Sequence, residues 1–205
     1  MAESSERISA RRSRRREEYA EATRNALVAA ATELFAAKGY QGTSVEDVAR
    51  RARVTRGALY HHFGSKQELF EAVFEEQETA MIRRAFAAVS AAGDPWTQAL
   101  AALDVFLDAC TEPRFRELTL RQAPVALGWE RWRELDERFG RGLVHGLLRN
   151  LVDAGEIRPF PIELLSGTVF ALLAETARHM ATAPDQDQAR ADAREAVLAL
   201  LAGLR

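Results

Sequence analysis

Cysteine is nearly missing from these 205 residues: Cys110 stands alone, which excludes an intrachain disulfide framework. Long apolar runs are missing too. The best stretch, around Thr168 to Ala174, stops at Glu175, well short of the roughly 18 to 20 apolar residues a membrane-spanning helix requires. Charges stand at the start of the chain where a secretory signal would need an apolar run, so a reducing cytoplasm and no membrane contact are expected. Histidine is scarce. His61 and His62 are adjacent, so on a helix they face different directions, and neither has a Cys or His four residues on; no metal and no cofactor is expected. There is no Gly-rich phosphate loop with lysine and no nucleophile beside a local base, while His145 and His179 are isolated, so an enzyme is not expected.

What is present is an ordinary apolar fraction of 47% and an uneven distribution of charge. Residues 1–66 hold 13 Lys and Arg against 8 Asp and Glu, a net of +5, whereas the rest holds 15 against 22, a net of −7. A polyanion is therefore met by the N-terminal part. The first 20 residues carry Arg7, Arg11, Arg12, Arg14, Arg15 and Arg16 with no apolar periodicity, and are read as a flexible arm. Such an arm either lies against phosphates or is a solubilising leader, since Glu17, Glu18 and Glu21 dilute its field.

From Thr23 the spacing turns helical, with Ala26, Leu27, Ala30, Ala31, Leu34 and Phe35 on one face until Gly39 stops it and Tyr40 folds back. Thr43 is read as the N-cap of a second short helix, with Glu46 completing a T-x-x-E capping box and Val45, Val48 and Ala49 facing inward. Arg53 and Val54 make a turn, and Thr55 caps a third helix with Ala58, Leu59 and Phe63 inside and Arg56, Gly57, Tyr60 and His61 outside. Two short helices joined by a tight turn, the second bearing such side chains, suit a reader of duplex DNA.

These residues carry a resemblance. K-G-Y, then T-S-V-E-D-V-A, then V-T-R-G-A-L-Y-H-H-F-G-S-K-Q-E-L-F resembles the DNA-binding domain of TetR/AcrR-type transcriptional regulators, from about Thr23 to Val73. It implies an all-α fold: a flexible arm over 1–20, a three-helix helix-turn-helix domain over 21–66, and a helical effector-binding and dimerisation domain over 67–205. It also implies that Thr43 and Ser44 meet the DNA backbone, that Thr55, Arg56, Gly57 and Ala58 approach base edges, and that Tyr60, His61 and Lys66 hold phosphates. The residue chemistry agrees, because helix N-termini favour phosphate and Arg56 is the one long donor able to grip guanine O6 and N7. Tyr60 has the alternative of a half-buried core aromatic, and His62 reads as a structural partner. Arg53 departs from the pattern, which has glycine there: either the turn differs, or an arginine beside a phosphate offsets about 1 kcal/mol or more of left-handed strain.

Beyond Lys66, a long helix to about Ala91 breaks at Gly93–Pro95, and further helices follow from Trp96 to about Cys110, from Pro113 with interruptions at Pro124 and Gly128, and from Arg131 to Asp153. Two last helices, Ile162 to about Thr182 and Asp187 to Leu204, carry the stripes Leu165, Val169, Leu172, Met180 and Val197, Leu200, Leu201, Leu204. These stripes either complete the core or form the homodimer interface that the resemblance implies; the dimer is preferred, because a palindromic operator presents two half-sites about one turn apart. The resemblance also implies a pocket for a small hydrophobic effector. Its candidate walls are Phe86, Phe106, Cys110, Trp129, Trp132, His145, Phe170 and His179, with Trp96, Arg121 and Gln122 beside them. The reading is a ligand-responsive repressor of double-stranded DNA, weighed against a constitutive architectural protein and, further off, a helical enzyme.

Overall fold

The computed structural model describes residues 2–205, with side chains from Arg14 onward, and is all-α, with no strand among the described residues. Arg7, Arg11 and Arg12 lie outside the described side chains. Two compact units divide the chain, Met1–Val73 and Phe74–Arg205. Leu69, Phe70 and Val73 are buried in the first unit, where the Phe70 ring lies 5.1 Å from that of Phe35.

In the first unit α1 spans Ala2–Gly42, with a break in helical geometry at Gly39, φ 74°. Tyr40 turns back there onto Phe35 and Phe70, as its sequence position suggested. The helix runs on through the segment expected as a flexible arm, where Arg and Glu are good helix formers and Arg14 pairs with Glu18 one turn on at 3.4 Å. Residues 14–22 are exposed. The inner face is Leu27, Val28, Ala30, Ala31 and Phe35, while Ala26 is exposed.

Helices α2 (Val45–Arg51) and α3 (Arg56–His62) complete this unit with the head of α4 (Lys66–Ala91). The cap of α2 is Ser44, whose Oγ accepts from the Asp47 N–H at 3.1 Å, rather than Thr43. Thr43 is 2% exposed, and its hydroxyl donates to the carbonyls of Gly39 at 2.9 Å and Leu34 at 3.2 Å. A close variant of the capping box forms two helices later, at the start of α4: Ser65 Oγ accepts from the Glu68 N–H at 3.1 Å and the Glu68 carboxylate accepts from the Gly64 N–H at 2.9 Å.

The second unit holds the rest of α4, then α5 (Pro95–Thr111), α6 (Pro113–Phe115), a π-helical segment (Arg116–Gln122), α7 (Ala123–Leu127), α8 (Trp129–Asp153), α9 (Ile162–Thr182) and α10 (Gln186–Ala202). Asp94 and Pro95 start α5 as cap and first residue, the Asp94 side chain accepting from the Thr97 N–H at 3.0 Å. Pro124 does not interrupt its helix. The preceding π segment widens the turn, with the Ala123 N–H reaching back to Leu118 O, so the proline ring meets no tight i−4 carbonyl. Gly128, φ 82°, makes the real break. Leu107, Leu148, Leu165, Val169, Met180 and Val197 form one core, each such side chain contributing about 1.5–3 kcal/mol on burial. Most of the apolar stripes on α9 and α10 therefore fill the protomer. On its flank Asp104 of α5 accepts from Arg194 Nε at 2.6 Å and Asp108 from Arg190 Nε at 2.5 Å.

Candidate nucleic-acid interface and cavity

The turn that aims α3 is closed at Arg53. Its φ of 57° is the single positive value on a non-glycine among the described residues, and it lets the Val54 N–H reach Ala49 O at 3.0 Å while the Arg53 N–H takes Arg50 O at 3.2 Å. The turn thus keeps the glycine-type geometry with an arginine in it, and the Arg53 side chain is exposed.

Thr55 then caps α3, its Oγ1 accepting from the Ala58 N–H at 3.1 Å. Leu59 and Phe63 anchor the inner face at 0% and 4% exposure, with the Arg24 guanidinium 5.2 Å from the Phe63 ring. Arg56, Gly57, Tyr60 and His61 come together on the exposed side, with Ala58 half-buried below them. Arg56 Nη1 pairs with Glu46 of α2 at 2.9 Å and its guanidinium lies 5.4 Å from the Tyr60 ring. The hydrogen bond with Tyr60 first, then the charge of Glu46, raise the Arg56 pKa above its ordinary value. The guanidinium stands between Glu46 and Tyr60 on the exposed side of the helix. Tyr60 is 42% exposed, part of this surface rather than of the core, and His62 packs edge-on against His61. Lys66 sits 4.3 Å from the Tyr40 ring, partial burial lowering its pKa. A β-carbon built on Gly57 would meet only Thr55 Oγ1, at 3.9 Å. Nothing inside the fold requires glycine there, although glycine in a helix costs about 1 kcal/mol relative to alanine. Of the predicted residues Thr43 alone is withdrawn from the surface, its hydroxyl committed to α1.

The second unit holds a cavity of about 120 Å³ between α4, α5, α8 and α9. Among the predicted wall residues Phe106, Trp132 and Phe170 line it. The others are placed elsewhere. Phe86 and Trp129 are each 54% exposed, and His179 is exposed. Cys110 is fully buried in the core, and burial pushes its thiol up, out of the thiolate range. His145 faces Ser166, 3.5 Å away, and Glu163, 3.6 Å away. Trp96 stacks under Arg205 at 3.9 Å, and Arg121 and Gln122 pair with Glu117. Gly140 shapes one wall: a β-carbon there would come within 2.7 Å of Phe170 Cε2.

Among the wall residues that were not expected are two carboxylates, Glu78 and Asp136. Each stands in an apolar register, Glu78 between Phe74 and Met81 and Asp136 between Trp132 and Gly140, and a charge at such a position is the signal that could have found them.

Family models match both units: one described as bacterial regulatory proteins, tetR family, over residues 27–73, and one described as a tetracyclin repressor-like C-terminal domain over residues 96–204. The chain belongs to the TetR family. It is a DNA-binding transcriptional regulator of that family, similar at 32% identity to the HTH-type transcriptional regulator SrpR of Pseudomonas putida, over 71% of this chain and 67% of that one. The Tn10 TetC protein of Escherichia coli is 24% identical over 73% of this chain and 75% of its own. A TetR-family regulator from Pectobacterium atrosepticum superposes with a TM-score of 0.82 at 32% identity, covering 91% of this chain and 96% of the other. No helix among the described residues is long and apolar enough to cross a membrane.

Proposed function

We propose that this TetR-family protein is a ligand-responsive repressor that binds a palindromic operator as a homodimer in the cytoplasm and releases it when a small hydrophobic effector fills the cavity. The observation that carries the reading is the exposed face of α3, where a charged Arg56, an unobstructed Gly57, Tyr60 and His61 stand together on a helix anchored by Leu59 and Phe63. Ser44 and Thr55 start the two short helices, and their neighbouring N–H groups suit phosphate. Arg56 reads a guanine by exchanging Glu46 for O6 and N7, a contact worth about 1–3 kcal/mol of discrimination. Glu46 keeps that guanidinium extended until DNA arrives.

Two copies are needed to reach half-sites about one turn, roughly 35 Å, apart. The pairing surface is assigned to the outward side of α9 and α10, where Leu164 is 69% and Leu200 57% exposed, beside the small residues Thr168, Ala171, Ala196 and Ala199. An effector lowers DNA affinity only as far as it binds the released state better than the bound one. A gel shift against an operator selected from random duplex, repeated with a panel of small organic molecules, tests the whole reading. The expected outcome is a specific complex dissolved by some of them. Arg56→Ala should lose preference at one base per half-site, and an equal loss on operator and random DNA would remove Arg56 from base reading.

A further inference from the structure

The cavity is apolar except at one place. Glu78 of α4 is 4% exposed and lines it, and Asp136 of α8 lines it as well. Among the described residues no hydrogen bond or ion pair engages either carboxyl. The cation on the cavity wall, Arg178, is paired with Glu175 and half exposed to solvent. A buried carboxylate without a partner is disfavoured by several kcal/mol, so such a side chain either keeps a proton or ionises against a counter-charge that a ligand brings.

The geometry points to a cationic effector: a single-ring-sized apolar body carrying one protonated nitrogen, held between the aromatic walls and the Glu78–Asp136 pair. This assignment rests on the effector reading of the cavity given above and names the ligand's chemical class. The size follows from the volume, since about 120 Å³ is a little less than the roughly 150 Å³ of an engineered cavity that admits benzene. The charge follows from the pair. Burial first, and the charge of Asp136 second, push the Glu78 carboxyl up to about 8, and burial, then Glu137, push Asp136 up to about 6. At neutral pH the empty pair therefore holds one proton and close to one negative charge, which matches a monocation. Binding a cation favours the ionised form of Glu78 and expels its proton. The groups bearing on this titration are Asp136 on α8 and Cys110 on α5, the latter an un-ionised thiol.

Isothermal titration of the full chain at pH 7 with benzylammonium, benzyl alcohol and benzoate compares three charges on one shape. The cation should bind roughly tenfold or more tightly than the alcohol, the usual scale of a charged hydrogen bond, and benzoate most weakly. In Glu78→Gln/Asp136→Asn the ratio of benzylammonium to benzyl alcohol affinity should fall to about one or below. In the wild type the apparent enthalpy of benzylammonium binding should vary with buffer ionisation enthalpy in the sense of proton release, a readout that needs no variant. Equal or tighter binding of the alcohol or benzoate, a cation preference that survives in the double variant, or binding of none of the three would overturn the assignment. DNA release by neutral molecules with no release by any cation of the same shape would leave the repressor reading standing while the cation site fell. Cation binding without any effect on DNA would do the reverse.

Discussion

Glu78→Gln should stabilise the protein at neutral pH, and the gain should grow with pH. The folded-state carboxyl titrates near 8 against an ordinary value of 4.5, so between those limits the folded chain keeps a proton that the unfolded chain has released. Stability is then lost as pH rises, by about 1.4 kcal/mol for each pH unit. The glutamine has no proton to lose. Between 4.5 and pH 7 the difference reaches about 3 kcal/mol in favour of the variant, an order-of-magnitude figure that Asp136, the charge acting on Glu78, modifies but does not reverse in sign. A buried neutral carboxyl and a buried amide carry similar desolvation, so below about pH 4 the two proteins should be equal. Urea unfolding of both at one fixed protein concentration, at several pH values from 4 to 8, reads this directly, since the stability of the proposed dimer would depend on concentration. A difference that does not vary with pH, or a variant less stable than the wild type at pH 7, would refute the burial argument.

Gly57→Ala should raise the stability of the first unit by about 0.5–1 kcal/mol, since the new methyl group meets only Thr55 Oγ1 at 3.9 Å, yet weaken operator binding because it stands where DNA approaches. Thermal unfolding alongside a gel shift separates the two effects. Arg53→Gly should stabilise by about 1 kcal/mol through relief of the left-handed φ of 57°, and if the side chain touches a phosphate it should flatten the salt dependence of DNA binding by about one charge. Leu164→Glu combined with Leu200→Glu, both on exposed positions, should leave helix content unchanged and move equilibrium sedimentation toward 22.8 kDa, the mass of one chain. An unchanged dimer would place the pairing surface elsewhere.

The helices were legible because their boundaries rest on local chemistry. Gly39, Pro95 and Gly155 stop or start elements by backbone preference alone, so the ends of α5, α8 and α9 fall within one or two residues of their sequence limits. The α3 surface was legible for the same reason, since a seven-residue helix with Leu59 and Phe63 inside leaves few choices for the outside. Elsewhere two neighbours compete for one role, and sequence could not decide between them. Thr43 and Ser44 can both cap α2, and the outcome turned on the carbonyls of Leu34 and Gly39, nine and four residues back, that take the Thr43 hydroxyl. The cavity was the least legible part because it depends on which face of each of four helices turns inward. Aromatic residues were a poor guide: Phe86 is exposed although it follows the buried Ala85, and Trp129 is exposed three residues before the buried Trp132. Charge in an apolar register is the better guide, because an acid at such a position on a helix is expelled to solvent, paired, or held protonated or against a ligand's charge. Arg190 and Arg194 take the second course with Asp104 and Asp108. Glu78 is buried and Asp136 half-buried, no hydrogen bond or ion pair engages either among the described residues, and the third course is the one proposed for them.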